Sequence, residues 1–420
     1  MTPILFTTFL VLLAIGVPIA FSVALAGTAV LVVSDVKLIV AVQRMFAATD
    51  SFPLVAVPFF ILAGDLLARG SISKKMVAFA EAIMGQVRGA LSAVSVVAGM
   101  FFAAISGSGA ATTAAVGATL IPELKARQYD EASAAALIAS AGCIGVVIPP
   151  SVPMVLYAVI ADQSVTALFR NGFVPGFMMG GVLIIIALVQ AYKRGYPKGA
   201  DFSLANILQT FCRAILGLMM PLIILGGIFS GQFTPSEAAA VAVIYSAFVS
   251  MVIYRDMTVK ELFQIINGSA RTSAVIMIII ACSGIFGWVL ANWKIPETVA
   301  QLVLSFSSNK YAIIFLMSII ILIAGIFMET SSAVILLTPV FLPLVKMLGI
   351  DLVHFGILFT VGIAIGMVTP PVAINLFVAS SITGMRIEEI AKAVVPYLLG
   401  LIIIFLIYVY LPVIFPALIF

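Results

Sequence analysis

The stretch GCIGVVIPPSVP (142–153) decides the fold, together with its counterpart GMVTPPVAIN (366–375). Each lies inside a run free of Asp, Glu, Lys and Arg, 132–161 in the first case and 352–385 in the second. Such runs are longer than the about 20 apolar residues an α-helix needs to cross a bilayer. Glycine weakens a helix, and proline removes a backbone donor and clashes with the preceding turn. Both segments are therefore expected to enter the membrane as helix, lose it at the double proline and resume beyond. Lipid tolerates irregular backbone only where protein or a water-lined cavity satisfies it. The breaks are thus the first place to look for a site.

Two further long segments are interrupted, 89–122 by AISGSGAATT (104–113) and 311–345 by GIFMETSSA (325–333). Simpler apolar segments lie near 3–34, 51–68, 173–192, 214–230, 235–254, 272–293 and 394–420. Of the 420 residues 63% are hydrophobic and 9% charged, against about 25% charged in a soluble protein. Too little polar surface exists to cover such a core in water, so the chain reads as an all-α polytopic membrane protein. MTPILFTTFL has no basic residue before its apolar run, so it is expected to be a first span and not a cleaved leader. The single histidine, His354, excludes His-rich metal motifs, and Cys143, Cys212 and Cys282 stand apart and read as small buried hydrophobes. No GxxxxGK[ST] loop is present, so ATP hydrolysis is not expected. The thin net charge of +4 leaves no nucleic-acid footprint.

An internal repeat organises these segments. Pro122, Asp130, Gly145, Pro149, Pro150 and Pro175 recur 221 residues later as Pro343, Asp351, Gly366, Pro370, Pro371 and Pro396. Upstream, GDLLARGSI (64–72) resembles GWVLANWKI (287–295). The expected domains are a scaffold span with an interfacial segment (1–50), a first repeat (51–175), connecting scaffold helices (176–271), a second repeat (272–396) and a C-terminal span (397–420). Charge sets the topology. If 89–122 and 311–345 are re-entrant hairpins and the N-terminus is cytoplasmic, fifteen Lys and Arg fall on the inner side and six on the outer. Full crossings would give nine and twelve, which loses the positive-inside bias. The hairpins make the repeats inverted, the architecture of a secondary transporter with its site near the midplane.

A broken helix offers N–H groups with partial positive charge at one new end and free carbonyls at the other. The first suits a carboxylate; carbonyls and hydroxyls suit a hard cation such as Na⁺. Ser106, Ser108 and the carbonyls of Gly145–Pro150 form one oxygen-rich set, and Gly325–Ser332 with Gly366–Pro371 and Thr369 form its mirror. Ser151, Thr330, Ser331 and Asn375 are candidate substrate contacts. Glu329 sits at the second hairpin tip, where an acid within the membrane is a functional candidate. Asp65, four residues before Arg69, is expected to form a structural ion pair. No cluster of intramembrane Lys or Arg exists, so an anion must be met by helix ends, hydroxyls and bound cations.

ISGSGAATTAAVGATLIP, GCIGVVIPPSVPMVLYA, FTPSEAAAVAV (233–243), IFMETSSAVILLTPVFLP and GMVTPPVAINLFV resemble the large membrane subunit of tripartite ATP-independent periplasmic (TRAP) transporters. The resemblance implies an elevator-type, Na⁺-driven importer in the bacterial inner membrane. An organic acid, such as a C4-dicarboxylate or sialic acid, is delivered by a periplasmic binding protein, and a small four-helix membrane subunit, expected as a separate polypeptide, completes the permease. It places sodium ligands at Ser106, Ser108, Gly145, Ile148 and Pro150, and at Gly325, Met328, Gly366, Thr369 and Pro371, the second hairpin carrying METSS in place of SGSG. No cofactor beyond Na⁺ is implied. The rival reading is a stand-alone Na⁺/dicarboxylate symporter or antiporter of related build. A membrane enzyme would need paired acids or a Ser–His dyad inside the bilayer, and a channel would need charged pore rings.

Overall fold

The computed structural model describes residues 1–69, 71–84, 87–198, 203–306 and 309–414. Among them the chain is helical throughout, with one isolated bridge between Arg88 and Lys198. Helices α1 (Thr2–Ala14), α2 (Ile19–Val33) and α3 (Ile39–Thr49) lead into α4 (Ala56–Arg69) and α5 (Ile72–Met84). The first hairpin is α6 (Ala90–Ser106) with α7 (Gly109–Ala126), and the first broken segment is α8 (Glu131–Cys143) with α9 (Val152–Ala161). Long helices α10 (Val165–Lys193), α11 (Leu204–Phe229), α12 (Pro235–Phe248) and α13 (Val259–Asn292) follow. After α14 (Ile295–Phe306) come α15 (Lys310–Phe327) and α16 (Thr330–Met347), then α17 (Leu352–Gly366), α18 (Ile374–Thr383) and α19 (Ile387–Ile414). Seven of the described helices are long and apolar enough to cross a membrane.

The interruptions fall where the sequence places them, and each has a local cause. Gly107 ends α6 in the left-handed region (φ +60°), and Ser108 restarts the chain by accepting the Ala111 N–H at 3.4 Å. A side chain at position 107 would stand 2.9 Å from the Pro150 carbonyl oxygen, so only glycine fits. At the start of α8 Asp130 accepts the Ser133 N–H, and at the start of α17 Asp351 accepts the His354 N–H, each at 2.8 Å. Such caps satisfy amides that have no partner inside the helix. The Pro149–Pro150 and Pro370–Pro371 bonds are both cis.

Packing sets the helices α6–α9 and α15–α18 against each other. α6 lies on α7, and α8 lies on both. The second arm of each broken segment crosses to the other series: α9 packs on α16, and α18 packs on α7 and α8. α10 lies against α17 and α19 against α8. One hydrophobic core runs through all these helices, and a second joins α1, α2, α3 and α13.

Two expectations are revised. The charge-free stretch 3–34 is not one helix: the chain turns at Gly16 (φ +85°), and Pro18, which has no amide to donate, begins α2, which packs back on α1. Cys143 and Cys282 are buried, but Cys212 is exposed on α11. His354 is buried beside the Tyr408 ring, their centroids 4.9 Å apart.

Candidate functional site

Both hairpin tips and both helix breaks meet at one cavity of about 290 Å³. Ser106, Gly107, Ser108 and Gly109 line it from the first hairpin, and Glu329, Thr330 and Ser331 from the second. Val146, Val152 and Pro153 come from the first break, and Met367 and Ile374 from the second. α4 and α13 close the remaining side with Ile61, Gly64, Asp65, Thr272 and Ile276. The N-terminal turns of α7, α9, α16 and α18 therefore open onto one space, while no Lys, Arg or His lines it.

These four ends are not equivalent. Glu329 accepts the Ser331 and Ser332 amides at 2.9 and 3.1 Å and the Ser331 hydroxyl at 3.1 Å, so a resident carboxylate already serves the α16 terminus. Ser151 serves α9, while α18 begins after Ala373 with no side-chain cap. On α7 the Ser108 hydroxyl takes only the Ala111 amide. The first amides of α7 could meet an anion here, whereas at α18 the Asn375 and Leu376 amides are already taken by the Met367 and Ala373 carbonyls.

Beside the cavity, the first oxygen-rich set is drawn tightly together. Ser106 Oγ lies 2.8 Å from Thr112 Oγ1, which in turn donates to the Ser108 carbonyl at 2.9 Å. Gly145 brings the backbone of the first break against them: a Cβ there would sit 2.5 Å from Thr112 Oγ1 and 2.7 Å from the Ser108 carbonyl oxygen. The Pro150 carbonyl meets Gly107 at the hairpin turn. Ser106, Ser108, Gly145 and Pro150 are thus assembled in one place, a neutral oxygen-rich cluster beside the cavity. The Ile148 side chain points elsewhere, into Gly176 of α10. Thr112 was not foreseen. Its signal is its position one helical turn after Ser108, which returns its hydroxyl to the tip.

The second set is looser. Gly325 and Gly366 touch backbone to backbone, and a Cβ on Gly366 would collide with the Gly325 carbonyl group. Thr369 donates its hydroxyl proton to the Ile365 carbonyl at 2.9 Å, which leaves its lone pairs for another partner. Met328 is extended (φ −117°, ψ 144°) between α15 and α16. Unlike Pro149 and Pro150, which are buried, Pro370 and Pro371 are exposed.

Among the candidate substrate contacts, Thr330 and Ser331 face the cavity, whereas Ser151 and Asn375 are not among its walls. Ser151 bonds to the Val146 carbonyl across the first break. Asn375 is fully buried and donates its Nδ2 to the Ala139 carbonyl at 3.1 Å, tying α18 to α8. Asp65 accepts the Ser269 hydroxyl at 2.6 Å, which bonds α4 to α13; the side chain of Arg69, its expected partner, lies outside the described residues. Only tertiary packing could reveal that wall, since α4 and α13 are over 180 residues apart. No group of three or more His, Cys, Asp or Glu able to hold a metal occurs among the described residues.

The model of the family described as "Tripartite ATP-independent periplasmic transporter, DctM component" matches residues 6–414. The chain belongs to this family. It is 39% identical over 369 residues to the C4-dicarboxylate TRAP transporter large permease protein DctM of Pseudomonas aeruginosa, covering 88% of this chain and 86% of that one. It is also 39% identical over 413 residues to the isethionate TRAP transporter permease protein DctMQ of Oleidesulfovibrio alaskensis, covering 98% of this chain. The chain spans 65% of that longer relative. Among solved structures, the YdaH transporter of Alcanivorax borkumensis superposes with a TM-score of 0.65 at 16% identity, over 90% of this chain and 88% of that one. This DctM-family chain is thus a large TRAP permease subunit, a multi-pass membrane protein of transport, with the overall fold of a known transporter.

Proposed function

We propose that this permease subunit drives the uptake of a small organic acid across the bacterial inner membrane with the Na⁺ gradient. The observation that carries the reading is the single cavity at which four helix N-termini converge without one basic side chain. Its walls carry Glu329 and no Lys, Arg or His, so the anion needs compensating charge close by. Cations in the Ser106–Ser108–Thr112–Gly145 cage and at Gly325, Gly366 and Thr369 supply that charge, and their binding precedes that of the acid. Relatives named for isethionate and for C4-dicarboxylates suggest that the class of substrate is a small anion.

The repeats 51–175 and 272–396 are read as inverted halves, a reading supported by the paired caps at Asp130 and Asp351 and by the reciprocal crossing of α9 and α18. Hairpins and broken segments then travel as one body against α4, α11, α12 and α13, an elevator movement that carries the cavity across the bilayer. A periplasmic binding protein delivers the acid, and a small membrane subunit completes the permease. Proteoliposomes holding this chain with its small subunit test the proposal when the Na⁺ gradient and the binding protein are varied independently. Uptake that requires both is expected. Uptake unchanged when choline replaces Na⁺ refutes the coupling, and uptake without any binding protein favours the stand-alone symporter.

A further inference from the structure

The second break contributes a side chain that neither the cation chemistry nor the helix ends account for. Met367 follows the last residue of α17 and is 4% exposed. Its main chain bridges the break: the Met367 amide donates back to the Ile363 carbonyl at 3.2 Å, and its own carbonyl accepts the Asn375 amide at 3.0 Å. Its thioether reaches into the cavity and touches both hairpins. The Thr330 hydroxyl at the start of α16 lies 3.3 Å from Met367 Sδ. At the start of α7, a Cβ on Gly109 would lie 2.9 Å from Met367 Cε and 3.1 Å from Sδ. The other apolar walls are short or branched side chains fixed on helices, namely Ile61, Ala110, Val146, Ile276 and Ile374 among them. Met367 is the one unbranched, polarizable side chain on the described walls, and methionine fills a space by rotating about three bonds.

From this junction we infer that Met367 sets substrate size: its thioether closes the gap between the hairpin tips and limits the carbon skeleton to a compact acid. The inference rests on the carboxylate reading of the cavity. The cavity volume of about 290 Å³ sits at the lower end of small-molecule pockets, about 300–1,000 Å³. Withdrawing the thioether opens the space between Gly109 and Thr330 and frees the Thr330 hydroxyl to bond a longer ligand. A hydrophobic pocket discriminates a single methylene by about ten- to two-hundredfold, so the selectivity change is measurable.

The test uses the permease with its small subunit in nanodiscs, without binding protein, so that the membrane site alone is read. Dissociation constants are measured in saturating Na⁺ for isethionate, succinate, glutarate, adipate and gluconate. Met367→Ala is expected to shift the ratio of long-acid to short-acid affinity by about tenfold toward the longer acid, while Met367→Leu holds it within about threefold. Met367→Val serves in the same comparison if the alanine variant does not fold. A folded variant in which every acid weakens by the same factor, or in which no ratio moves, assigns Met367 to packing alone and overturns the inference. If the unsubstituted permease binds none of these acids, the small-anion reading itself falls and this inference falls with it.

Discussion

Replacing Gly145 by alanine probes the first oxygen cage directly. The new methyl would sit 2.5 Å from Thr112 Oγ1 and 2.7 Å from the Ser108 carbonyl oxygen, where ordinary contact begins at 3.4 Å. Those oxygens must retreat by about 0.7–0.9 Å, an overpacking whose cost is about 1–3 kcal/mol. They have nowhere easy to go: Ser108 is held at the hairpin turn, and Thr112 is fully buried against Ser106. If the strain falls on the geometry that binds the cation, the Na⁺ affinity drops by about five- to a hundredfold, at tenfold per 1.4 kcal/mol. The assay is the Na⁺ dependence of uptake in proteoliposomes, paired with Na⁺-dependent thermal stabilisation of the purified permease. Gly226→Ala in α11 is the control, because a Cβ there meets nothing within 4 Å and alanine is the better helix former. A folded Gly145→Ala protein whose half-saturating Na⁺ stays within about twofold of the parent, where the strain predicts at least about fivefold, would refute the cage. An equal loss in Gly226→Ala would refute the steric reasoning.

Thr112→Val and Thr369→Val keep side-chain size and remove one hydroxyl each; both are expected to raise the Na⁺ needed for half-maximal uptake, and unchanged titrations would strike these oxygens from the proposal. Asn375→Ala removes the hydrogen bond that ties α18 to the Ala139 carbonyl of α8, so thermal unfolding should reveal a loss of about 0.5–1.5 kcal/mol. The relative affinities for different acids should stay as they were, and a changed order would return Asn375 to the substrate site. Cysteines placed at Arg88 and Lys125, at the two ends of the first hairpin, should react with an impermeant reagent from the same side of the membrane. Opposite sides would make 89–122 a full crossing.

The positions of the breaks were legible because their causes are local. Gly107, Ser108, the Pro149–Pro150 and Pro370–Pro371 pairs and the caps Asp130 and Asp351 each act within a few residues, so spacing along the chain suffices to find them. Glu329 illustrates the limit. Its place at a hairpin tip was plain, but whether it faces ligand or serves its own helix depends on the direction of one side chain, and it caps α16. Asn375 and Ser151 failed to reach the cavity for a related reason: each found a nearer carbonyl, Ala139 on another helix and Val146 across the break. A polar group in an apolar surrounding takes whatever partner packing brings first.

By itself the sequence determined that this chain lives in a membrane, that its helices break in four places and that no Lys or Arg lies at those breaks. Hydrophobicity and proline act on the chain alone, so these properties need no neighbours. Only the tertiary structure decided which groups share the cavity: α4 and α13 brought in as a wall, and Met367 set between the two hairpins. Those contacts join segments tens to hundreds of residues apart. They depend on helix rotation and crossing, which the packing of whole faces fixes and no local motif encodes.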